Sequence, residues 1–299
     1  MSTIRKSGII TICGRPNVGK STLTNAFVGE KVAIVTNKPQ TTRNRICAIL
    51  NRGESQFVFV DTPGLHKART RLGDYMVKVV RESVSDVDAV LLLVEPIANI
   101  GAPEQELIDR IKKLGCPAVL VINKVDTLEK KEALLEVISV YQQAHEFNAI
   151  VPISAKNSEG VEELLALLET YLEEGPQLFP EDMVTDQPER QVMAEILREK
   201  LLLCLDKEIP HGTAVEITRF SERDDEVIEC DATIYCEKNS HKGIIIGKGG
   251  AMLKKVSSSA RRDMEKFMGT KVFLQTWVKV KENWRDNPAA IQNFGYKQE

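Results

Sequence analysis

The chain has no apolar run long enough to cross a bilayer. Its longer stretches, such as Ala89 to Val94, fall far short of the roughly 20 residues a membrane helix needs. An integral membrane protein is excluded, while attachment at a membrane surface is not. The start, Met1-Ser2-Thr3-Ile4-Arg5-Lys6, leads directly into a strand-like run and has no signal-peptide pattern. The six cysteines, Cys13, Cys47, Cys116, Cys204, Cys230 and Cys236, include no C-x-x-C pair. Zinc knuckles and dithiol redox motifs therefore lose their main support, and the scatter suits a reducing, cytoplasmic setting. There is no internal repeat and no low-complexity tract.

What the chain does have is enough material for two cores: 299 residues, 42% of them hydrophobic. Its net charge of −3 conceals a strong asymmetry. Residues 1–180 carry 21 basic and 22 acidic side chains, residues 181–237 carry 6 and 16, and residues 238–285 carry 12 and 3. A charge run by itself is usually a solvated face. A basic block of this size beside an acidic one is also the footprint of a polyanion partner.

Up to residue 175, short Val- and Ile-rich runs alternate with amphipathic ones. Strand-like runs are Gly8–Cys13, Arg45–Leu50, Phe57–Val60, Ala89–Val94, Ala118–Ile122 and Ile150–Ile153. Helical patterns fill Lys20–Val28, Gly73–Ser83, Pro103–Lys113, Lys131–Glu146 and Val161–Leu172. The apolar runs do not alternate with polar residues, as expected of strands buried on both faces of a mostly parallel sheet flanked by helices. Residues 1–175 thus read as an α/β domain. Residues 176–189, with three prolines within GPQLFPEDMVTDQPE, read as a linker. From 190 to 299 the order is helix, two alternating strands, a short apolar helix around Ile244–Ile246, a glycine turn, a helix from about Gly250 to Met268, and a strand Val272–Val280. That is a separate α+β domain with a C-terminal tail.

Gly14-Arg15-Pro16-Asn17-Val18-Gly19-Lys20-Ser21 fits G-x-x-x-x-G-K-S between a buried strand and a helix, with Thr22 in the same helical turn. Glycines let backbone N–H groups curl around phosphate oxygens, and the helix N-terminus favours negative charge. Lys20 would reach the β- and γ-phosphates, and the Ser21 hydroxyl would hold Mg²⁺. Asn123-Lys124-Val125-Asp126 follows a buried strand, at the carboxyl edge where ligands bind. The Asp126 carboxylate can accept from guanine's ring N–H and amino group together, whereas adenine would leave it unpaired. Asn123 would bridge base and loop, and the Lys124 stem would cover the base. Asp61-Thr62-Pro63-Gly64 closes another buried strand. Asp61 can hold Mg²⁺ through water, and the Gly64 N–H can sense the γ-phosphate. Thr42, or else Thr41, would complete the metal shell, and Ser154-Ala155-Lys156 could offer the Ala155 N–H to the guanine oxygen. The position after Gly64 holds Leu65, which cannot polarise water as a glutamine would. The expected catalytic set is Lys20, Thr42, Asp61 and Gly64, to which the family resemblance given below adds Asn17.

In the second domain Gly247-Lys248-Gly249-Gly250 fits the GXXG loop with which KH domains clamp a nucleic-acid backbone. Ile244 to Ile246 supply an apolar wall before it. In the following helix Met252, Val256, Ala260, Met264 and Phe267 fall within about 120° of arc, with Lys254, Lys255, Arg261, Arg262 and Lys266 opposite. KH grooves favour single strands, so RNA is expected rather than duplex DNA.

GRPNVGKS, the PQTTR run at Pro39–Arg43, DTPG, NKVD, SAK and the GXXG turn together resemble the bacterial Era-type GTPases, a G domain joined to a type II KH domain. The likeness runs from Ile4 to about Arg285. It implies a slow GTPase that hydrolyses GTP to GDP and phosphate with a hydrophobic residue at Leu65, and a K⁺ ion held beside the phosphates with the help of Asn17. It implies a partner, the 3′ region of 16S ribosomal RNA, and a role in rRNA processing and 30S subunit assembly. It further implies a cytoplasmic monomer with a peripheral contact at the inner membrane. Two rival readings are a tRNA-modification GTPase whose second domain docks protein, and a membrane-associated signalling switch without an rRNA role.

Overall fold

The structure is a computed structural model and describes residues 4–65, 68–83, 87–130, 132–223 and 226–296. Its contacts divide the chain into two units. One comprises residues 1–33, 42–67 and 76–186, and the other residues 34–41, 68–75 and 187–299.

The first unit is built in the order β1 (Lys6–Gly14), α1 (Lys20–Val28), β2 (Ile46–Arg52), β3 (Ser55–Asp61), α2 (Arg71–Glu82), β4 (Ala89–Val94), α3 (Ala102–Leu114), β5 (Ala118–Ile122), α4 (Ala133–Ala144), β6 (Ala149–Pro152), α5 (Val161–Glu169) and β7 (Glu173–Glu174). The first turn of α2 is shared with the second unit. The strand order is β2-β3-β1-β4-β5-β6. β2 runs antiparallel to β3, the pairs from β3 to β6 are parallel, and β7 adds an antiparallel stub on β1. Alternate residues of each strand face opposite ways, and both faces are covered. Ile10, Ile12, Leu91, Leu93, Val119 and Val121 pack with Leu23 and Phe27 of α1 and Leu164 and Leu168 of α5. Cys13, Val90, Leu92, Leu120 and Ile122 pack with Leu107 and Ile111 of α3 and Val137 and Tyr141 of α4. This double burial is why the strands read as unbroken apolar runs.

Residues 178–186, on the segment expected to link the domains, lie along β2 and β3. Ile49 N–H donates to Val184 O at 3.0 Å, Cys47 N–H to Asp186 Oδ1 at 3.0 Å, and the Phe179 N–H to Gln56 Oε1 at 2.9 Å. Pro180 has no N–H to give, and the segment is held by a mixture of backbone carbonyl, backbone N–H and side-chain contacts rather than by a continuous strand ladder.

The second unit adds α6 (Glu189–Cys204), β8 (Ala214–Glu222), β9 (Ile228–Cys236), α7 (Asn239–Ile246), α8 (Ala251–Met268), β10 (Val272–Val280) and α9 (Pro288–Asn293). Its sheet has the order β10-β9-β8, with β10 parallel and β8 antiparallel to β9. Cys230, Ala232 and Ile234 of β9 face Val192, Ile196, Leu197 and Leu201 of α6 and Val256, Ala260 and Met264 of α8. Each fully buried larger side chain of this set contributes roughly 1.5–3 kcal/mol. Residues 34–41 belong to this unit through α6. Val35 N–H donates to Glu199 Oε1 at 3.0 Å, and Arg198 donates to the Thr41 carbonyl. Lys200 joins Glu199 (2.8 Å) to Asp263 of α8.

Two elements go beyond the sequence reading. β7 is too short to show a period. α9 starts at Pro288 with the Asn287 side chain accepting from Ala290 N–H at 3.1 Å, a cap legible in Asn-Pro. It covers Trp284, which is fully buried and donates from Nε1 to Gly212 O at 2.9 Å.

Candidate functional site

The phosphate loop leaves β1 at Gly14 and enters α1 at Lys20. At Gly14 a Cβ would stand 2.4 Å from the Leu93 carbonyl, and at Gly19 (φ +100°) 2.2 Å from Asn123 Nδ2. Both positions therefore require glycine, which places the loop backbone against β4 and against the N-K-x-D segment. Asn17 also has a positive φ, 67°. The Lys20 Nζ donates back to the carbonyls of Gly14 (3.2 Å) and Arg15 (2.8 Å). Burial pulls its ammonium down to about 8, against the upward pull of the Asp61 charge.

The second half of the site centres on Asp61 at the end of β3. Its Oδ2 accepts from Ser21 Oγ at 2.6 Å, and Ser21 Oγ also lies 2.9 Å from Thr42 Oγ1. Asp61 Oδ1 is buried and has no hydrogen-bond partner among the described residues. Burial pushes the Asp61 carboxyl up to about 6, opposed by Lys20 and by the Ser21 hydrogen bond. Three oxygen-bearing side chains thus converge, and one lone-pair face is left open, which suits a hard cation. The two candidate threonines differ in their contacts. Thr42 meets Ser21, whereas the Thr41 hydroxyl is engaged by Thr36 Oγ1 and Lys38 O, both at 2.7 Å.

Thr62 Oγ1 donates to Ile12 O at 2.9 Å, and Leu65 N–H to Gly14 O at 3.3 Å. A Cβ at Gly64 would stand 2.6 Å from Pro16, so the turn Asp61–Gly64 lies directly on the phosphate loop. Leu65 is packed in the apolar cluster with Cys13 and Val80.

On the base side, Asn123 is nearly fully buried and ties two loops together. Its Nδ2 donates to Val18 O at 2.8 Å, and its Oδ1 accepts from Ala155 N–H at 2.9 Å. The Ala155 N–H, expected to point at a guanine oxygen, is engaged by Asn123 here. Ser154 Oγ donates to Asp126 Oδ1 at 2.6 Å, fixing that carboxylate. Lys124, with φ 65°, forms an ion pair with Glu95, and Lys156 is exposed.

In the second unit α7 and α8 are joined by the four-residue turn at Gly247–Gly250. Gly247, Gly249 and Gly250 have φ of 74°, 60° and 81°. At Gly247 a Cβ would meet Met252 at 2.8 Å, while at Gly249 and Gly250 nothing among the described residues lies within 4 Å. The first glycine serves the fold, and the later two leave open space above the backbone. Ile244 is 49% exposed just before the turn, Lys248 is exposed within it, and Lys254, Lys255 and Arg262 are exposed after it. Arg261 is tied to Glu265 at 2.5 Å. Val256, Ala260 and Met264 are buried on the opposite side of α8.

A P-loop sheet with this set of loops, followed by a KH unit, defines the class: a guanine-nucleotide-binding protein carrying a nucleic-acid-binding module. The family of 50S ribosome-binding GTPases matches residues 9–124, and the KH domain family matches residues 208–285. GTPase Era of Ruminiclostridium cellulolyticum is 50% identical over 292 residues, covering 98% of this chain and 98% of that protein. GTPase Era of Clostridioides difficile is likewise 50% identical over 292 residues, covering 97% and 98%. A single-substitution variant of Aquifex aeolicus Era bound to GDP·AlF4⁻ has a TM-score of 0.94 at 37% identity, covering 98% of this chain and 100% of its own. An Era complex with MgGDPNP and nucleotides 1506–1542 of 16S ribosomal RNA has a TM-score of 0.94 at 36% identity, with the same coverage. The chain belongs to the Era family of GTPases.

The sequence reading missed Glu104 of α3 and Glu95 at the end of β4, which pair with Arg15 and Lys124, and Tyr141 of α4, which contacts Glu104. None lies in a nucleotide motif, and the only local signal, an acid in the first turn of α3, points to a helix cap.

Proposed function

We propose that the protein binds the 3′ region of 16S ribosomal RNA through residues 190–299 and hydrolyses GTP in residues 1–175. Through these two activities it assists rRNA processing and assembly of the 30S subunit. The observation that carries the reading is the whole-chain similarity to an Era seen with MgGDPNP and 16S nucleotides 1506–1542. The open backbone at Gly249–Gly250 and the exposed lysines beside it support the same ligand class.

In this reading Ser21 and Thr42 hold Mg²⁺ directly, and Asp61 holds it through water. The unpartnered Asp61 Oδ1 fits that role. When bound, Mg²⁺ neutralises charge between the β- and γ-phosphates. Lys20 supplies a further positive charge, Asp126 selects guanine, and Asn17 helps to seat K⁺. Ordering of Thr42 would act along the chain on residues 34–41, which α6 holds through Glu199 and Arg198. From α6 the Lys200–Asp263 pair leads to α8. This supports a switch in which nucleotide state alters RNA access. The protein works in the cytoplasm as a monomer. Among the described residues no helix is long and apolar enough to cross a membrane, so contact with the inner membrane would be peripheral.

The test is filter binding of the 16S 3′ segment across a salt series, with GTP turnover measured on the same preparation. Replacing Lys248 and Gly249 with Asp adds bulk and negative charge beside the RNA backbone. It should weaken RNA binding and flatten the log–log salt slope by about one unit, while GTP affinity and basal turnover persist. Unchanged RNA affinity would remove the GXXG loop from the interface.

A further inference from the structure

Glu104 sits in the first turn of α3 and is completely buried. Its Oε2 accepts from Gly101 N–H at 2.7 Å, an ordinary closure of a helix N-terminus. That role needs only one oxygen and is usually played at the surface. The other oxygen is committed elsewhere. Oε1 lies 2.8 Å from Arg15 Nε and 3.2 Å from the Tyr141 hydroxyl of α4. Burial, with the neighbouring Glu104 charge, raises the Tyr141 phenol, so it stays protonated and donates to Glu104. A buried carboxylate is costly unless every lone pair is used, and here three donors surround it.

Arg15 belongs to the phosphate loop. Its side chain is anchored on Glu104, and its own carbonyl accepts the Lys20 Nζ at 2.8 Å. The loop around it runs through backbone conformations that few residues adopt, at Gly14 and at Asn17. Such a segment has little intrinsic preference for one shape. A charge-assisted bond from a rigid helix supplies one.

We propose that Glu104 is a positioning residue for GTP hydrolysis. By clamping the Arg15 guanidinium to α3 it fixes the Arg15 carbonyl, and that carbonyl holds the Lys20 ammonium in register for the phosphates. The clamp also keeps Arg15 from serving as a phosphate ligand itself. The inference rests on reading the loop as the GTP site and adds a residue that no nucleotide motif contains.

The experiment measures release of a fluorescent GDP analogue and single-turnover GTP hydrolysis for the full chain, Glu104→Gln, Arg15→Ala and the double variant. Gln keeps an oxygen for the Gly101 N–H but removes the charge. Arg15→Ala approaches the clamp from its partly exposed side, so no core cavity is made. Each single variant should release GDP faster and hydrolyse GTP more slowly by about tenfold, and the double variant should stay within about twofold of Arg15→Ala alone. Helix α3 amide exchange should not change in Arg15→Ala. A helix-capping or packing role for Glu104 gives the opposite pattern: multiplied defects in the double variant, or Arg15→Ala indistinguishable from the unmodified protein. Either would overturn the proposal while leaving the GTP site intact. Absence of GDP binding by the unmodified chain would overturn both.

Discussion

Gly19→Ala is the sharpest local probe of the site, because one methyl group strikes two motifs. Gly19 has φ +100°, where an L side chain is strained, and its Cβ would stand 2.2 Å from Asn123 Nδ2. Asn123 must retreat by more than about 1 Å to reach ordinary contact distance, roughly 3.4 Å or beyond. It is 2% exposed, so it has no empty space to enter, and it would give up its bonds to Val18 O (2.8 Å) and Ala155 N–H (2.9 Å). The strained backbone costs about 1 kcal/mol. The two bonds cost about 1 kcal/mol each, and more where a buried group is stranded. The sum, about 3–4 kcal/mol, is a large fraction of the roughly 5–15 kcal/mol typical of a domain. Amide exchange in β1 and α1 reads this unit specifically. Protection in the nucleotide-free protein should fall by about 100-fold or more, and GDP affinity should fall with it. Adding Asn123→Ala removes the obstacle. The double variant should therefore be less destabilised than the two singles combined, by at least about 1 kcal/mol. Strict additivity, or a loss below about 1 kcal/mol for Gly19→Ala alone, would refute the steric argument.

Three further outcomes follow from the same site. Asp126→Asn replaces an acceptor with an amide while Ser154 remains beside it. Competition assays should show preference moving from guanine toward xanthine nucleotides, and undiminished GTP affinity would refute the assignment. Burial raises the Asp61 carboxyl to about 6, above its unfolded value, so the folded state binds this proton more tightly. Burying the charge therefore costs stability above about pH 6, and the cost is relieved as pH falls toward about 4. The same proton competes with Mg²⁺, so the Mg²⁺ enhancement of GDP binding should fade as pH drops through about 6. Titration calorimetry with and without EDTA measures it, and Asp61→Asn should abolish the pH dependence. If Asn17 helps to hold K⁺, turnover should be faster in KCl than in NaCl, and Asn17→Ala should erase the difference. Equal rates in both salts for the unmodified protein would exclude that role.

An α/β part followed by an α+β part, the mostly parallel sheet and the glycine turns of both were legible in the sequence, whereas the grouping of residues 34–41 and 68–75 with the second unit was not. Each legible feature depends on short-range physics. An unbroken Val/Ile run is legible because both sheet faces are covered. Gly14, Gly19 and Gly247 are legible because only glycine fits the backbone and its close neighbours there. The basic face of α8 is legible because its apolar partners recur at helical spacing. The contacts that each local candidate makes are not legible in this way. Thr41 and Thr42 are adjacent and chemically identical, yet only Thr42 meets Ser21, while Thr41 meets Thr36. The Ala155 N–H was open to a ligand in sequence and is engaged by Asn123 in space. Glu104 looks like one more helix-starting acid until α3 packs beside the phosphate loop and buries it against Arg15 and Tyr141. The physical reason is common to all three. Glycine turns, apolar periods and helix caps follow from forces acting over a few residues. The partner of a carboxylate or a hydroxyl is chosen by which strands and helices the hydrophobic core brings side by side, and that choice is written in no local stretch of the chain.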